Sequence, residues 1–497
     1  FTAPTVARLA AHLATGEPQA PQVPRIQRAR RDRDLPLSFA QQQIWVIQQL
    51  DADDPAYSLP SAFRLRGALD PSAVAWSLRN VAARHEVLRT AYPTVQGWPV
   101  QRIATETGMS MPLVDLGLLD ETRAGQEVRA FLAREALRSF DLAGGPASRA
   151  ILIRLAAEDH VLWLSFHHIC FDGWSWGVLF SELAALYSAR RAGLPSPLPP
   201  LPLQYADFAA WQRERAGEIE GQLVWWRERL AGLAPLQLAL DRLLASGERK
   251  GAVETFQLAP DLTEPLRALG QAEGCTLFMV LLALFKVLLH QRTGREDISV
   301  GSPVAGRINA EVEGLIGNFV NTLVLRTDLA GDPPFRDLLA RVRKTTLEAH
   351  SRQEAPFEQV AAALYDGTSH RVRLFEVWFV LHNTPVPALE LPGLTVATVV
   401  VDGQAPRHDL SFSLWPTSRG LHALLEYRTD LFPPSVVRQM AEDFTTLAQA
   451  VVADASLRRS TLASLLGRAQ QEQRETRKQV AKTAGLERLR EKRRKTV

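Results

Sequence analysis

Apolar positions along this chain follow two alternating rhythms from Leu35 onward. Val74, Leu78 and Val81 recur at helical spacing behind Asp70-Pro71-Ser72, where an acidic cap followed by proline marks a helix start. Residues 152–155 and 161–166 are short apolar runs joined by the polar turn Ala157-Glu158-Asp159, which predicts two strands. Helical spacing returns over 176–187, and prolines at 195, 197, 199, 200 and 202 then break the pattern. A second half is expected to begin near Asp207. It carries an apolar helix over 276–290 ended by Gly294, and strands over 297–300, 319–326, 375–381, 394–401 and 422–427. Strands mixed with long helices in both halves predict an α/β or α+β protein of two lobes. The absence of a short-period repeat excludes solenoids and propellers.

Ahead of the lobes, residues 5–13 have helical apolar spacing, with Pro4 at the start and Gly16 at the end. The following EPQAPQVPRIQRARRDRDLP is Pro-rich, charged and without period. The expected divisions are a helical remnant of a preceding domain over 1–15 and a linker over 16–34. Then come an N-terminal lobe over 35–206, a C-terminal lobe over 207–460 and a basic tail or linker over 461–497. A length of 497 residues suits roughly two to three domains of ~150 residues, and 46% hydrophobic with 22% charged residues is a globular composition.

Two cysteines, Cys170 and Cys275, exclude a disulfide scaffold, and neither CxxC nor a His/Cys cluster of zinc spacing occurs, so no metal site is expected. The N-terminal sequence lacks the basic-then-apolar layout of a signal peptide. The longest apolar run, 277–285, is far short of the ~20 residues that span a bilayer. A soluble, cytoplasmic protein without a membrane partner is the expectation. The net charge of +3 is unevenly placed: residues 468–497 hold eleven Lys/Arg against four Glu, and the remainder holds 46 bases against 50 acids. With no aromatics among the tail's charges and no zinc-finger or homeodomain pattern, the tail reads as a helical linker or docking element, not a nucleic-acid binder.

The informative stretch is VLWLSFHHICFDGWS, residues 161–175. An apolar strand ends in His167 and His168, an apolar turn leads to Asp172-Gly173, and Trp176 opens a helix. Adjacent strand residues point to opposite faces, so only one of the two histidines faces any given cleft. An Asp four residues on, followed by a permissive Gly, turns the chain back toward that histidine.

On these residues the chain resembles the condensation domains of nonribosomal peptide synthetases, whose signature is HHxxxDG. Further blocks follow in family order. Ser38-Phe-Ala-Gln41-Gln-Gln43-Ile-Trp45 is similar to SxAQxRLW, and Arg84-His85-Glu86-Val-Leu-Arg89-Thr90 to RHExLRT. Tyr205-Ala-Asp207-Phe-Ala-Ala-Trp211-Gln212 is similar to YxDYAxWQ, and Ile316-Gly-Asn-Phe-Val-Asn321-Thr-Leu-Val-Leu-Arg326 to IGxFVNTLxLR. Pro356-Phe-Glu358 fits the PFE block and His408-Asp-Leu-Ser411 the late DLS block. Gln43 stands where the family usually has Arg, and Arg352 where a His begins the PFE block. The N-terminal FTAPTVARLAAHLA resembles the last helix of a peptidyl carrier domain, whereas residues 460–466 do not continue into the usual lead-in to an adenylation domain.

The resemblance implies two chloramphenicol-acetyltransferase-like lobes in a V shape with a central tunnel. Upstream and downstream carrier domains of the synthetase's modules would deliver phosphopantetheine arms, with no cofactor bound permanently. Peptide-bond formation between a donor thioester and an acceptor amine is the implied reaction, and the first block with Trp174 and Ser175 resembles the subclass joining L-donors to L-acceptors. His168 is the implied catalytic residue, its imidazole near an ordinary pKa of ~6.5, placing the amine or accepting its proton. The Gly173 N–H is the candidate oxyanion donor. His167 is the packing histidine, and Asp172 the partner of a structural ion pair with Arg84, or Arg89 as second choice. Trp174, Ser175 and Asn321 are expected to line the tunnel. Two rivals stand beside this reading. One is a catalytically silent docking domain of the same fold. The other is a serine hydrolase or thioesterase, because Gly173-Trp-Ser175-Trp-Gly177 satisfies G-x-S-x-G. That elbow needs the strand to run straight into its first Gly, but Cys170-Phe171-Asp172 intervenes, so Ser175 is expected to be a helix-start residue.

Overall fold

A computed structural model describes residues 25–106, 109–238, 251–364, 373–382, 388–401 and 406–471. The first half contains α1 (Phe39–Leu50), β1 (Ser58–Arg66), α2 (Pro71–Arg84), β2 (Leu113–Asp115), α3 (Glu121–Ala136), β3 (Ser148–Ala156), β4 (Asp159–His167), α4 (Ser175–Arg191) and α5 (Tyr205–Glu214). The second contains α6 (Glu220–Leu230), β5 (Gly251–Leu258), α7 (Pro260–Ala272), α8 (Leu277–Thr293), β6 (Asp297–Val304), β7 (Asn321–Asp328), α9 (Phe335–His350), α10 (Phe357–Ala363), β8 (Val377–Leu381), β9 (Thr395–Val399), β10 (Leu410–Thr417), β11 (Gly420–Arg428) and α11 (Pro434–Ala453). A small antiparallel sheet around Trp98–Ile103 also belongs to the first half. The mixed α/β class and the two lobes agree with the sequence pattern.

Local chemistry sets the helix starts. Asp70 accepts from the N–H groups of Ser72 and Ala73 at 2.9 and 3.0 Å with Pro71 in the first turn of α2. Ser38 and Gln41 form a reciprocal capping box on α1, which explains the first sequence block as a helix start. In α8, twelve of seventeen residues are buried, so this helix is apolar on every side and forms the centre of the second core. Its one buried charge, Lys286, is satisfied by Leu325 O at 2.5 Å, Thr327 Oγ1 at 2.7 Å and Ile298 O at 3.3 Å.

The first sheet has the order β9-β1-β4-β3-β2, and the second β7-β6-β8-β10-β11-β5. Strand β4 is buried on both faces: Leu162, Leu164 and Phe166 belong to the first core, and Val161 and Trp163 to a cluster with Val128 and Leu132 of α3. That double burial accounts for a continuous apolar run in place of alternation. Its last residue, His167, lies opposite Ser58 of β1.

The two lobes are not consecutive stretches of chain. Strand β9, from the second half, pairs antiparallel with the edge of β1 in the first sheet. Val312, Leu315, Ile316 and Phe319, between β6 and β7, are buried in the first core. The boundary expected at 206/207 falls within α5, whose Tyr205, Phe208 and Ala209 belong to the first core, while Trp226 and Leu230 of α6 belong to the second. The expected linker is docked at its described end: Arg31 pairs with Glu86 and Asp207, both at 2.8 Å. The expected tail boundary at 460/461 also moves, because a helix over 459–471 buries Leu462 and Leu466 in the second core. The carrier-like helix over 1–15, and the chain beyond 471, lie outside the described residues. Among the described residues no single helix is long and apolar enough to cross a membrane; the one bent pair that passes by composition, α7 with α8, turns by 105°.

Leu462→Ala is predicted to cost ~2–5 kcal/mol in denaturant unfolding, as for other buried leucines. Ending the chain after Gln471 should leave the unfolding midpoint unchanged, and a large drop there would place the basic segment inside the core.

Candidate active site

His168 is the first residue beyond β4, and its N–H donates to Tyr57 O at 2.8 Å, extending the strand pairing by one step. The turn after it is held from outside by Gln41, whose Nε2 donates to Ile169 O at 3.1 Å. The alternation expected of neighbouring strand residues is present. His167 is 1% exposed, accepts at Nδ1 from the Ile169 N–H at 3.2 Å, and therefore donates from Nε2 to Gln48 Oε1 at 3.3 Å. His168 keeps accessible surface, and its Nδ1 is buried without a hydrogen-bond partner of good geometry. Burial, then the positive charge of Arg407, pulls the His168 pKa down to about 3, with its own and the Phe171 backbone opposing weakly. The ordinary imidazole pKa expected from sequence is thus corrected: His168 is neutral at pH 7 and a weak base.

Asp172 is 0% exposed and reaches across the lobes. Its carboxylate accepts from Arg307 Nη2 at 3.2 and 3.3 Å and from the Phe319 N–H at 3.1 Å. Within its own turn it accepts from Ser175 N at 2.9 Å and Ser175 Oγ at 2.7 Å. The ion pair expected with Arg84 or Arg89 is therefore corrected. Arg84 instead binds Glu182 of α4 at 2.7 Å, and Arg89 donates to Ala104 O. Arg307 also donates to Val312 O at 2.6 Å and Leu315 O at 2.7 Å, and its guanidinium lies 4.0 Å from the Phe319 ring centroid. One guanidinium thus folds the crossing segment and fastens it to the HHxxxDG turn. Burial pulls the Arg307 pKa down, opposed by the charge of Asp172.

Three residues from the sequence blocks hold the same segment. His85 accepts from the Ile316 N–H at 3.2 Å while its other ring nitrogen meets Glu182 at 2.9 Å. Tyr205 donates to Asn318 O at 2.6 Å. Trp174 Nε1 donates to Glu313 O at 2.9 Å. Gly317 lies so close to Tyr205 that a Cβ there would stand 2.0 Å from its ring, which requires glycine. Motif membership singled out His85 and Tyr205 but not their role. Arg307 sits outside every block and carried no sequence signal beyond being a charge in an apolar neighbourhood.

Ser175, expected to line the tunnel, is withdrawn from accessible surface, whereas Asn321, expected there too, is half-buried and lines a cavity with Phe319, Val320 and Glu358. Ser175 is 0% exposed, with its hydroxyl on Asp172 and against the Gly317 N–H at 3.1 Å, and no histidine is among its partners. It opens α4, as the helix-start reading holds, and the nucleophile elbow is absent in geometry. Asn321 spends its amide on backbone: Nδ2 donates to Gln353 O and Ala355 O at 2.8 Å, and Oδ1 accepts from Thr322 N at 2.8 Å and Phe357 N at 2.9 Å. Gly173 is exposed, and a Cβ added there would meet nothing within 4 Å, so open space lies in front of its backbone. Among the described residues no group of three or more His, Cys, Asp or Glu is arranged to hold a metal ion.

Asp172→Ala is predicted to destabilise the protein by ~3–5 kcal/mol in denaturant unfolding, because Arg307 is left buried and unpaired. Ser175→Ala should cost ~1–3 kcal/mol for the donors it leaves unsatisfied. A fluorophosphonate should not label Ser175 in the native protein, and covalent labelling there would revive the hydrolase.

The chain's kinship follows the same landmarks. The family model described as "Condensation domain" matches residues 31–473. A linear gramicidin synthase polypeptide of Brevibacillus parabrevis is 41% identical over 462 residues, covering 91% of this chain and 9% of that protein. Phosphinothricin tripeptide synthetase PhsC of Streptomyces viridochromogenes is 39% identical over 446 residues, covering 87% of this chain and 40% of that protein. The chain thus spans under half the length of these curated relatives. Among solved structures, the X-domain from teicoplanin biosynthesis superposes with a TM-score of 0.79 at 28% identity, covering 88% of this chain and 99% of that one. The first condensation domain of the calcium-dependent antibiotic synthetase gives 0.71 at 22% identity, covering 86% and 98%, a likeness of fold. With the HHxxxDG turn whole and the match running through both lobes, the chain belongs to the condensation-domain family of the nonribosomal peptide synthetases.

Proposed function

We propose that this chain forms the peptide bond between a donor acyl or peptidyl thioester and the amine of an aminoacyl acceptor. Upstream and downstream carrier domains each present their substrate on a phosphopantetheine arm. The observation that carries the reading is the intact turn, with His168 accessible directly after β4 and with His167 and Asp172 spent on holding it. In the reaction the amine nitrogen attacks the thioester carbonyl, the carbon–sulfur bond breaks, and the proton lost by nitrogen ends on the departing thiolate. The products are an amide and a free phosphopantetheine thiol.

The residues divide this work by their chemistry. A neutral His168 of low basicity is suited to accept a hydrogen bond from the attacking amine and hold its lone pair toward the carbonyl. Complete removal of the proton by an imidazole of pKa about 3 is disfavoured, so orientation outweighs general-base catalysis here. Gly173 is exposed beside open space, which supports a role for its N–H as donor to the developing oxyanion. His167, Asp172 and Arg307 act through position only.

A second reading draws on one observation. The teicoplanin X-domain is solved in complex with OxyB, and this chain superposes on that domain with a TM-score of 0.79. Recruitment of another protein is thus the alternative use of the same fold. The test loads donor and acceptor carriers with a panel of proteinogenic aminoacyl thioesters and follows transfer by intact-protein mass spectrometry. Wild type is expected to move the donor acyl group onto the acceptor carrier, and His168→Ala to lose ~10²-fold or more. His167→Ala, though less stable, should retain transfer once folded. Turnover unaffected by His168→Ala, or equal loss in well-folded forms of both variants, overturns the assignment.

A further inference from the structure

Helix α1 places two buried glutamines on one face. Gln41, Ile44 and Gln48 are spaced i, i+3 and i+7, and all three side chains are withdrawn from solvent. Gln41 Nε2 donates to Ile169 O at 3.1 Å, in the turn that follows His168. Two turns further along the helix, Gln48 Oε1 lies 3.3 Å from His167 Nε2. One helix face thus holds the HHxxxDG turn at two points. Gln41 belongs to a recognised sequence block, whereas Gln48 lies outside all of them.

The amide of Gln48 is fixed in one orientation. Its Nε2 donates to Ala52 O at 2.7 Å, and a carbonyl oxygen only accepts. Oε1 is therefore the atom that faces His167, and it needs a proton from the ring. Burial, then the charges of Arg407 and Arg149, holds the His167 pKa at about 3, so the neutral ring has a single N–H to place. With that proton on Nε2, Nδ1 carries a lone pair and accepts from the Ile169 N–H at 3.2 Å. The other tautomer would set an N–H against the Ile169 N–H and a lone pair against Gln48 Oε1. Both contacts would then be repulsive.

The Ile169 N–H belongs to the peptide group that follows His168. The peptide group before His168 is held as well, because its N–H donates to Tyr57 O at 2.8 Å. These two bonds fix the planes on either side of the His168 Cα, and with them the direction in which its side chain leaves the backbone. Resting on the condensation reading, we infer that Gln48 is a positioning residue: it selects the His167 tautomer that locks the His168–Ile169 peptide group, and thereby aims the His168 imidazole. The relay runs from Ala52 O through Gln48 and His167 to the Ile169 N–H. Its loss acts on kcat, because a misdirected imidazole spoils the aim of the bound amine and leaves carrier binding alone.

The test first reads the wild type by imidazole nitrogen NMR of isotope-labelled histidine, with the His167 signals assigned through their loss in His167→Ala. The ring proton is expected on Nε2. Gln48→Leu, which removes the acceptor, should populate both tautomers and lower kcat ~10-fold, with KM for the carriers changed by less than ~2-fold. Gln48→Glu still accepts from Nε2 and should return kcat to within ~3-fold of wild type. His167→Ala creates no opposing N–H, so adding Gln48→Leu to it should cost nothing further. A wild-type proton on Nδ1, which needs no variant to fold, overturns the inference. So does a folded Gln48→Leu protein with a single tautomer or unchanged kcat, or a double variant whose losses multiply. Wild type without transfer on any carrier pair instead refutes the condensation reading, and the tautomer is measured independently of it.

Discussion

A carboxylate and a guanidinium, both withdrawn from water, decide how the two lobes meet. Asp172 and Arg307 have side chains 0% and 1% exposed, and each is satisfied beyond the pair itself. Asp172 takes the Phe319 N–H and both donors of Ser175, while Arg307 takes two carbonyls of its own loop. Burial of two charges is costly unless their remaining valences are filled, and here nearly all are; Arg307 Nε is the buried exception. The motif aspartate therefore serves the chemistry at one remove: it fixes the turn that presents His168, and it anchors the crossing segment 306–319 beneath that turn. Strand β9 on the edge of β1, and Arg407 on Ala56, add a second and a third crossing from the same half of the chain.

This arrangement explains a division of labour within HHxxxDG. The first histidine has both ring nitrogens occupied and fills the core, whereas the second keeps accessible surface and a ring free of strong partners. On the proposed condensation reading, a neutral His168 of low basicity suits the aiming of an amine more than strong base catalysis.

Much of this was legible in the sequence, for local reasons. Strand β4, its turn and helix α4 were marked by an unbroken apolar run, a polar turn and renewed helical spacing. The cap at Asp70 declared one helix start. Strand β1 was missed because Ser58, Pro60, Ser61 and Arg64 interrupt its apolar positions. Its place in the sheet comes from pairing with β4 and β9, which no local pattern encodes. The partner of Asp172 was misplaced for the same reason: Arg307 is distant in sequence and lies outside the recognised blocks. Asn321 sits inside a block, yet its four hydrogen bonds go to backbone. The low pKa of His168 was invisible too, since it needs burial and a charge from the far half of the chain.

The claim at the centre of this account is that Asp172 and Arg307 act as one unit to hold the lobes and the turn in register. A double-mutant cycle tests it, with Asp172→Asn, Arg307→Met and the double variant compared in unfolding free energy and in carrier-to-carrier transfer. The account predicts that each single change lowers both quantities and that the double variant is less impaired than the two losses added, with a coupling of about 1 kcal/mol or more. Losses that simply add, in stability and in turnover alike, would mean that the two residues work independently and that the lobes are joined by something else.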